Sequence, residues 1–168
     1  MVVNYEPRLH VVLYQPEIPP NTGAVGRTCV AVGAKLWLVR PLGFRVDTKT
    51  LRRAGLDYWQ HLEWDIVDDW SSLVERLPQR QFWYFTKTAT VSYLDVAYEP
   101  GDVLVFGSET QGLPSSILEQ NRGRALRIPI RPQVRSLNLS NAVAVAAYEA
   151  LRQWVTGAES SKPQRHGQ

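Results

Sequence analysis

Short apolar runs of strand length alternate along this chain with amphipathic stretches of helix length, and this alternation limits the possible folds most. The strand candidates are residues 9–14, 36–40, 64–67, 82–86, 103–107 and 125–128. The helix candidates between them are residues 22–32, 47–54, 69–77, 115–120 and 139–154, with Gly33 and Gly55 placed as C-terminal caps. Runs rich in β-branched and aromatic residues are typical of buried parallel strands. The pattern therefore predicts an α/β fold with an open, mostly parallel sheet.

One domain accounts for the 168 residues. We expect it to cover residues 1–156, with residues 157–168 as a disordered polar tail. The only cysteine, Cys29, has no partner for an intrachain disulfide, which is typical of a protein of the reducing cytoplasm. No apolar run approaches the roughly 18 residues of a membrane span, and residues 6–8 (Glu-Pro-Arg) interrupt any signal peptide. The three scattered histidines predict no metal site.

The charges are distributed unevenly. Residues 1–60 carry a net charge of +4, residues 61–110 carry −6 and residues 111–168 carry +5. A fold that brings the two ends together presents a basic face. RNA or DNA is the obvious partner of such a face, although basic clusters also occur on ordinary solvated surfaces.

The first of three polar loops, residues 15–27, follows the first strand candidate and is rich in proline. Asn21 or Thr22 can cap the helix that it enters. Two glycines leave the helix start open, and Arg27 lies just over one turn further along. Because a helix start with bare backbone attracts anions, the loop is either a capped helix with a surface arginine or a phosphate or ribose site.

The second and third loops also follow strand candidates. Residues 106–114 hold Glu109 between two glycines at the carboxyl end of an apolar strand, where open parallel sheets bind ligands. Their spacing is neither G-x-G-x-x-G nor a P-loop, which argues against a dinucleotide oxidoreductase and an NTPase. Residues 128–141 gather four hydroxyl and amide side chains at a helix start, more than capping alone requires. These four are Ser136, Asn138, Ser140 and Asn141.

The last helix candidate carries alanines at positions 142, 146 and 150, on one side of the helix. Such a stripe allows a close approach of another element. Packing within the chain is the favoured interpretation, and a homodimer contact is the alternative.

In this order and at these spacings, the three loops resemble the three motifs of the SPOUT-class RNA ribose 2′-O-methyltransferases, over residues 9–154. Residues 16–23 and 51–59 also resemble the small subfamily that acts on cytidine or uridine 34 of tRNA. Three positions depart from the pattern. Gln111 stands where a basic residue is common, and Ala24 and Gly26 stand where bulkier or amide residues are common.

This resemblance implies an α/β-knot fold, in which the C-terminal part of a parallel sheet is threaded into a trefoil knot. It also implies a homodimer that binds S-adenosylmethionine in the knot, without a metal, and methylates the wobble ribose in the anticodon loop of tRNA. Two alternatives stay open: the same methylation on another RNA such as rRNA, and a non-catalytic RNA-binding module of this fold.

The resemblance also implies roles for individual residues. Those expected at the reacting ribose are Arg27, Glu109, Asn138 and Asn21. Those expected at the cofactor, partly through their backbone, are Tyr84, Thr86, Gly107, Ile128, Ser136, Leu137 and Asn138. The family's usual assignment makes Arg27 the base, but a guanidinium stays protonated at neutral pH. We therefore expect Arg27 to bind phosphate and stabilise developing oxyanion charge, and the proton to leave through water, phosphate or Glu109.

Aromatic residues next to cations are the best candidates for contacts to unpaired bases of RNA. Tyr58 and Trp59 lie beside Arg52 and Arg53 in the sequence. This is the best cluster to test for RNA binding: we expect Arg52 and Arg53 to contribute to it, and which aromatic residues contact bases stays open.

Overall fold

A parallel sheet forms the centre of the molecule. The structure, a computed structural model, describes residues 7–47, 49 and 58–160, with side chains as far as residue 155. Within these residues the strands are β1 (Leu9–Tyr14), β2 (Ala34–Val39), β3 (Trp64–Val67), β4 (Phe82–Phe85), β5 (Val91–Ser92), β6 (Val103–Phe106) and β7 (Ala125–Arg127). They pair in parallel in the order β3-β2-β1-β6-β4-β7-β5.

Helices cover both faces of the sheet. In the described ranges they are α1 (Pro19–Val32), α2 (Trp70–Arg76), α3 (Ser115–Gln120) and α4 (Leu139–Ser160), with short 3₁₀ turns at Trp59–His61 and Arg122–Arg124. Side chains alternate between the faces of each strand. One face of the sheet packs against α1 and α4, and the other packs against α2 and α3. The predicted α/β fold with a parallel sheet is therefore confirmed.

The order of the strands brings the three polar loops together. The first loop follows β1, the second follows β6 and the third follows β7, while β4 lies between β6 and β7 in the sheet. Because all these strands are parallel, their carboxyl ends lie at one edge. Strand β7 is inserted between β4 and β5, which are consecutive in the sequence.

The predicted elements differ from the observed ones at a few positions. Strand β5 was not predicted, because two residues are too short for a hydrophobic pattern. Helix α4 continues six residues beyond the predicted end at Trp154, to Ser160. The predicted helix over residues 47–54 and the cap at Gly55 lie largely outside the described residues.

Helix α1 begins earlier than predicted. Its N-cap is Ile18, so the prediction that Asn21 or Thr22 caps it is wrong. Two prolines occupy the first helical positions, where their fixed φ suits the helix and no N–H is needed. The predicted C-cap is confirmed: Gly33 has a φ of 73°, and its N–H bonds the carbonyls of Cys29 and Val30.

The alanines of α4 serve packing within the chain. Ala146 and Ala150 are fully buried in the core shared with α1 and the sheet, and Ala142 is half-buried beside it. Small side chains at this contact let α4 approach its neighbours closely. The favoured interpretation of the stripe is thus confirmed.

Candidate active site

A cavity of about 770 Å³ opens where the carboxyl ends of β4 and β6 meet the second and third polar loops. Its lining mixes apolar side chains, such as Phe106 and Leu139, with hydroxyl, amide and backbone groups. Six residues predicted at the cofactor line it: Thr86, Gly107, Ile128, Ser136, Leu137 and Asn138. A pocket of this size, with both apolar and polar lining, suits a ligand of nucleoside size.

Tyr84 is the predicted cofactor residue whose side chain does not reach the cavity. It points into the core between the sheet and α2, where its ring lies 6.1 Å from Trp70 and 6.2 Å from Phe82. Burial raises the pKa of its hydroxyl. Phe85 and Thr86, which follow it, line the cavity, so a role of Tyr84 is limited to its backbone.

The carboxylate of Glu109 holds the start of α1. It accepts hydrogen bonds from the backbone N–H groups of Glu17 (2.8 Å) and Ile18 (3.1 Å) and from Nδ2 of Asn21 (3.2 Å). These donors come from the first polar loop, whereas Glu109 belongs to the second. Carboxylates near a helix N-terminus also interact favourably with the helix dipole. Glu109 therefore fastens the first loop to the second.

The third loop joins the same network through Asn138. Its Nδ2 donates to Oδ1 of Asn21 (3.0 Å), and its Oδ1 accepts from the backbone N–H of Ser140 (2.9 Å). The second contact caps the start of α4, as predicted for one residue of this loop. Asn21 thus lies between Glu109 and Asn138, and all three line the cavity.

Arg27 is the predicted site residue that the described chain does not bring to the cavity. Its side chain is exposed on α1, with its guanidinium carbon 5.4 Å from the centre of the Tyr58 ring. Asn21 precedes it by six residues, so the two side chains leave the helix in different directions. The guanidinium faces solvent, where a large substrate can meet it.

Gly107 allows the second loop to close. A Cβ atom at this position would overlap the backbone of Gly112 and Leu113. The loop returns through Gly112, whose φ of 67° lies in the left-handed region. A bridge between Ser108 and Gly112 completes the turn.

We expect Gly107→Ala to open this loop and to weaken binding of S-adenosylmethionine by at least about tenfold, because backbone rather than a flexible side chain obstructs the Cβ. Isothermal titration with the cofactor measures the change. Gly123→Ala is the matched control, since a Cβ there meets no atom within 4 Å. Equal affinity in both variants would contradict the proposed role of Gly107.

Two cations at the cavity were not among the predicted site residues. Lys87 follows β4, and Arg135 lies in the third loop; both line the cavity. A lysine or arginine in a polar loop is no signal by itself in a sequence, because such residues are common on surfaces. Only the strand order shows that both face one cavity. Arg52 and Arg53 lie outside the described residues.

The next two observations, on metal sites and on membrane spans, apply to the residues that the structure describes. In those ranges no three His, Cys, Asp or Glu side chains lie together in a way that could hold a metal ion. None of the helices seen there is both long and apolar enough to cross a membrane.

The model of the SpoU rRNA methylase family matches residues 8–148. The chain belongs to this family. The match, the similar solved structures and the parallel sheet confirm the α/β-knot fold of the SPOUT class that the resemblance implied. The prediction of an RNA methyltransferase is confirmed with it.

Relatives of this SpoU methylase carry more specific names. A protein of Escherichia coli named tRNA (cytidine(34)-2′-O)-methyltransferase is 48% identical over 147 residues, which cover 86% of this chain and 93% of the relative. A structure described as giving insights into the 2-OH methylation of C/U34 on tRNA has a TM-score of 0.85 at 45% identity, covering 90% of this chain and 99% of the other. An AdoMet-bound rRNA methyltransferase from Sinorhizobium meliloti has a TM-score of 0.76 at 26% identity, covering 89% and 58%.

Proposed function

We propose that this protein transfers the methyl group of S-adenosylmethionine to the ribose 2′-hydroxyl of nucleotide 34 in tRNA. The observation that carries the proposal is the cavity at which all three polar loops meet, joined by the bonds among Glu109, Asn21 and Asn138. The names of the relatives at 45% and 48% identity agree with this substrate.

The residues around the cavity fit a nucleoside cofactor. Ile128, Leu137 and Phe106 offer apolar surface to an adenine ring, and Thr86 and Ser136 offer hydroxyl groups. When bound, S-adenosylmethionine supplies an electrophilic methyl group on a sulfonium. The rRNA methyltransferase of S. meliloti, which is 26% identical to this chain, is AdoMet-bound, and this supports the same cofactor here.

The 2′-oxygen would have to be held in line with the methyl group, and S-adenosylhomocysteine would be the leaving group. We propose that Arg27 binds a phosphate of the substrate and stabilises the charge that develops on the 2′-oxygen. Three N–H donors already occupy the carboxylate of Glu109, so Glu109 positions the first loop. The proton then leaves to water or to a substrate phosphate.

We propose that the RNA surface is a segment of five arginines that ends at Arg135, which lines the cavity, and we call it the arginine segment. Its members are Arg122, Arg124, Arg127, Arg131 and Arg135. No acidic residue lies between positions 120 and 148, and within the described residues none of the five forms an ion pair. All but Arg124 are exposed. Arginines without acidic partners are suited to bind RNA phosphates.

We expect the double variant Arg122→Gln/Arg127→Gln to weaken tRNA binding and to reduce the slope of log K against log salt by about 1.4, since each phosphate contact with single-stranded RNA contributes about 0.7. Filter binding at several salt concentrations measures the slope. Arg40→Gln/Arg76→Gln is the matched control, because both arginines are already paired with aspartates. An equal slope in all three proteins would contradict the assignment.

We also propose a homodimer. The outer side of α4 exposes Val145, Tyr148 and Val155, which are 38%, 51% and 50% accessible. Three large apolar side chains exposed on one helix face are typical of a protein–protein interface, and a second copy of the chain can cover them. Sedimentation equilibrium tests this: a single-chain mass at micromolar concentration would contradict it.

For a tRNA enzyme with one buried cysteine, we propose the cytoplasm as the compartment.

Incubation with labelled S-adenosylmethionine and either total tRNA or rRNA tests the proposed function. We expect label in tRNA, and nuclease digestion is expected to recover it in nucleotide 34. Label in rRNA alone would show that the substrate is rRNA and not tRNA. Absence of both transfer and cofactor binding would favour a non-catalytic RNA-binding module.

A further inference from the structure

One motif singled out in the sequence, residues 51–59, was expected to contribute to RNA binding, but its Trp59 is buried and does not offer its ring to a base. Its last two residues, Tyr58 and Trp59, lie within the described residues, next to α1. The Tyr58 hydroxyl donates a hydrogen bond of 2.8 Å to the carbonyl of Gly23. The Tyr58 ring lies against the guanidinium of Arg27, with 5.4 Å between ring centre and guanidinium carbon. Gly23 and Arg27 are four residues apart and share one side of α1.

Trp59 packs against α1 next to Tyr58 and holds this segment on the helix. A Cβ at Gly26 would lie 2.9 Å from the Trp59 ring and 3.0 Å from Leu62, so the absence of a side chain at Gly26 lets Trp59 pack directly on α1. Trp59 is buried, and its ring is 5.3 Å from that of Trp64. This contact gives a physical reason for a glycine where bulkier residues are common.

We propose that Tyr58 is a positioning residue for Arg27: its ring restricts the guanidinium to one orientation and leaves the N–H groups free for the substrate. An aromatic ring contacts the face of a guanidinium, whereas the five N–H donors point outwards in its plane. An exposed arginine otherwise samples many rotamers. The proposal rests on the role given to Arg27 in the proposed function.

The first test compares Tyr58→Leu and Tyr58→Phe. We expect Tyr58→Leu to lower kcat for methyl transfer to tRNA about fivefold, because it removes the ring. Tyr58→Phe keeps the ring and loses the hydroxyl that donates to Gly23, so it is expected to retain most of the rate. The affinity for S-adenosylmethionine stays the same in both, since Tyr58 does not line the cavity. A kcat of Tyr58→Leu equal to that of the wild type would overturn the proposal.

A double-mutant cycle separates positioning from a general structural role. If Tyr58 acts through Arg27, Tyr58→Leu has no further effect on kcat in an Arg27→Ala background. If it only supports the fold, the fivefold loss recurs there, and the proposal is wrong. Arg76→Gln is the matched control: the Arg76 guanidinium carbon lies 5.3 Å from the Trp37 ring, at a part of the sheet that does not line the cavity. We expect it to leave kcat unchanged.

A spectroscopic measurement tests the contact without any substrate. The ring current of Tyr58 is expected to shift the Arg27 Hδ protons upfield in the wild type and in Tyr58→Phe, and the shift is expected to vanish in Tyr58→Leu. Equal shifts in all three proteins would overturn the contact. A wild type that shows the shift but methylates no tRNA would contradict the proposed function and leave only the contact between Tyr58 and Arg27 confirmed.

Discussion

Arg27→Ala is expected to lower kcat for methyl transfer by about 100- to 1,000-fold, the usual effect of removing one donor that stabilises an oxyanion. Its affinity for S-adenosylmethionine is expected to stay unchanged, because Arg27 does not line the cavity. Single-turnover kinetics with labelled cofactor measure the rate, and isothermal titration measures the affinity. Stability also stays close to that of the wild type, since the side chain is exposed.

Arg27→Lys tests how the guanidinium acts. Lysine keeps the charge but has no planar fork for two parallel hydrogen bonds. We expect it to recover only a small part of the lost rate. Near-normal turnover of Arg27→Lys would contradict a role for the fork, and near-normal turnover of Arg27→Ala would contradict the placement of Arg27 at the chemistry.

Glu109→Ala is expected to lower kcat about 100-fold and to destabilise the protein by about 2 kcal/mol, because three N–H groups lose a charged acceptor. The first polar loop is then no longer fastened to the second, and a misplacement of about 1 Å is enough for such a loss of rate. Thermal unfolding and single-turnover kinetics measure the two effects. Glu119→Ala, an exposed carboxylate on α3, is the matched control.

Glu109→Gln and Asn21→Ala distinguish two roles of Glu109: holding the first polar loop in place and accepting the proton. A glutamine amide presents N–H groups to a site that already holds three donors, so Glu109→Gln is expected to be as unstable as Glu109→Ala. Asn21→Ala removes the side chain that bridges Glu109 and Asn138 but no carboxylate, and we expect a loss of rate of at least tenfold. A slow Glu109→Gln with wild-type stability, beside a fully active Asn21→Ala, would make Glu109 the proton acceptor.

The sheet was predictable from the sequence because its interior strands are buried on both faces. Runs such as Leu9–Tyr14 and Val103–Phe106 are apolar throughout, and the alternation with helices then requires parallel pairing. The start of α1 was not predicted correctly, since Asn21 and Thr22 have the composition of a cap. Their side chains serve other purposes here: Asn21 links two loops, and Thr22 is fully buried.

The residue types of the site were predictable, but their contacts were not. Glu109 and Asn21 are 88 positions apart, and Asn138 and Asn21 are 117 apart. Only the insertion of β7 beside β4, and of β6 between β1 and β4, brings them together. No local pattern encodes a strand order. The contact between Tyr58 and Arg27 could not be predicted either. It lies beside the place where Trp59 packs on Gly26.

Methyl transfer to a matched pair of RNAs tests the central claim most directly. The two are the anticodon stem-loop of a tRNA with a ribose at nucleotide 34 and the same stem-loop with a 2′-deoxyribose there. Both present the same bases and phosphates, so they differ only in the acceptor oxygen. We predict that labelled S-adenosylmethionine methylates the first RNA and leaves the second unlabelled. Equal label in both would contradict methylation of the 2′-hydroxyl of nucleotide 34.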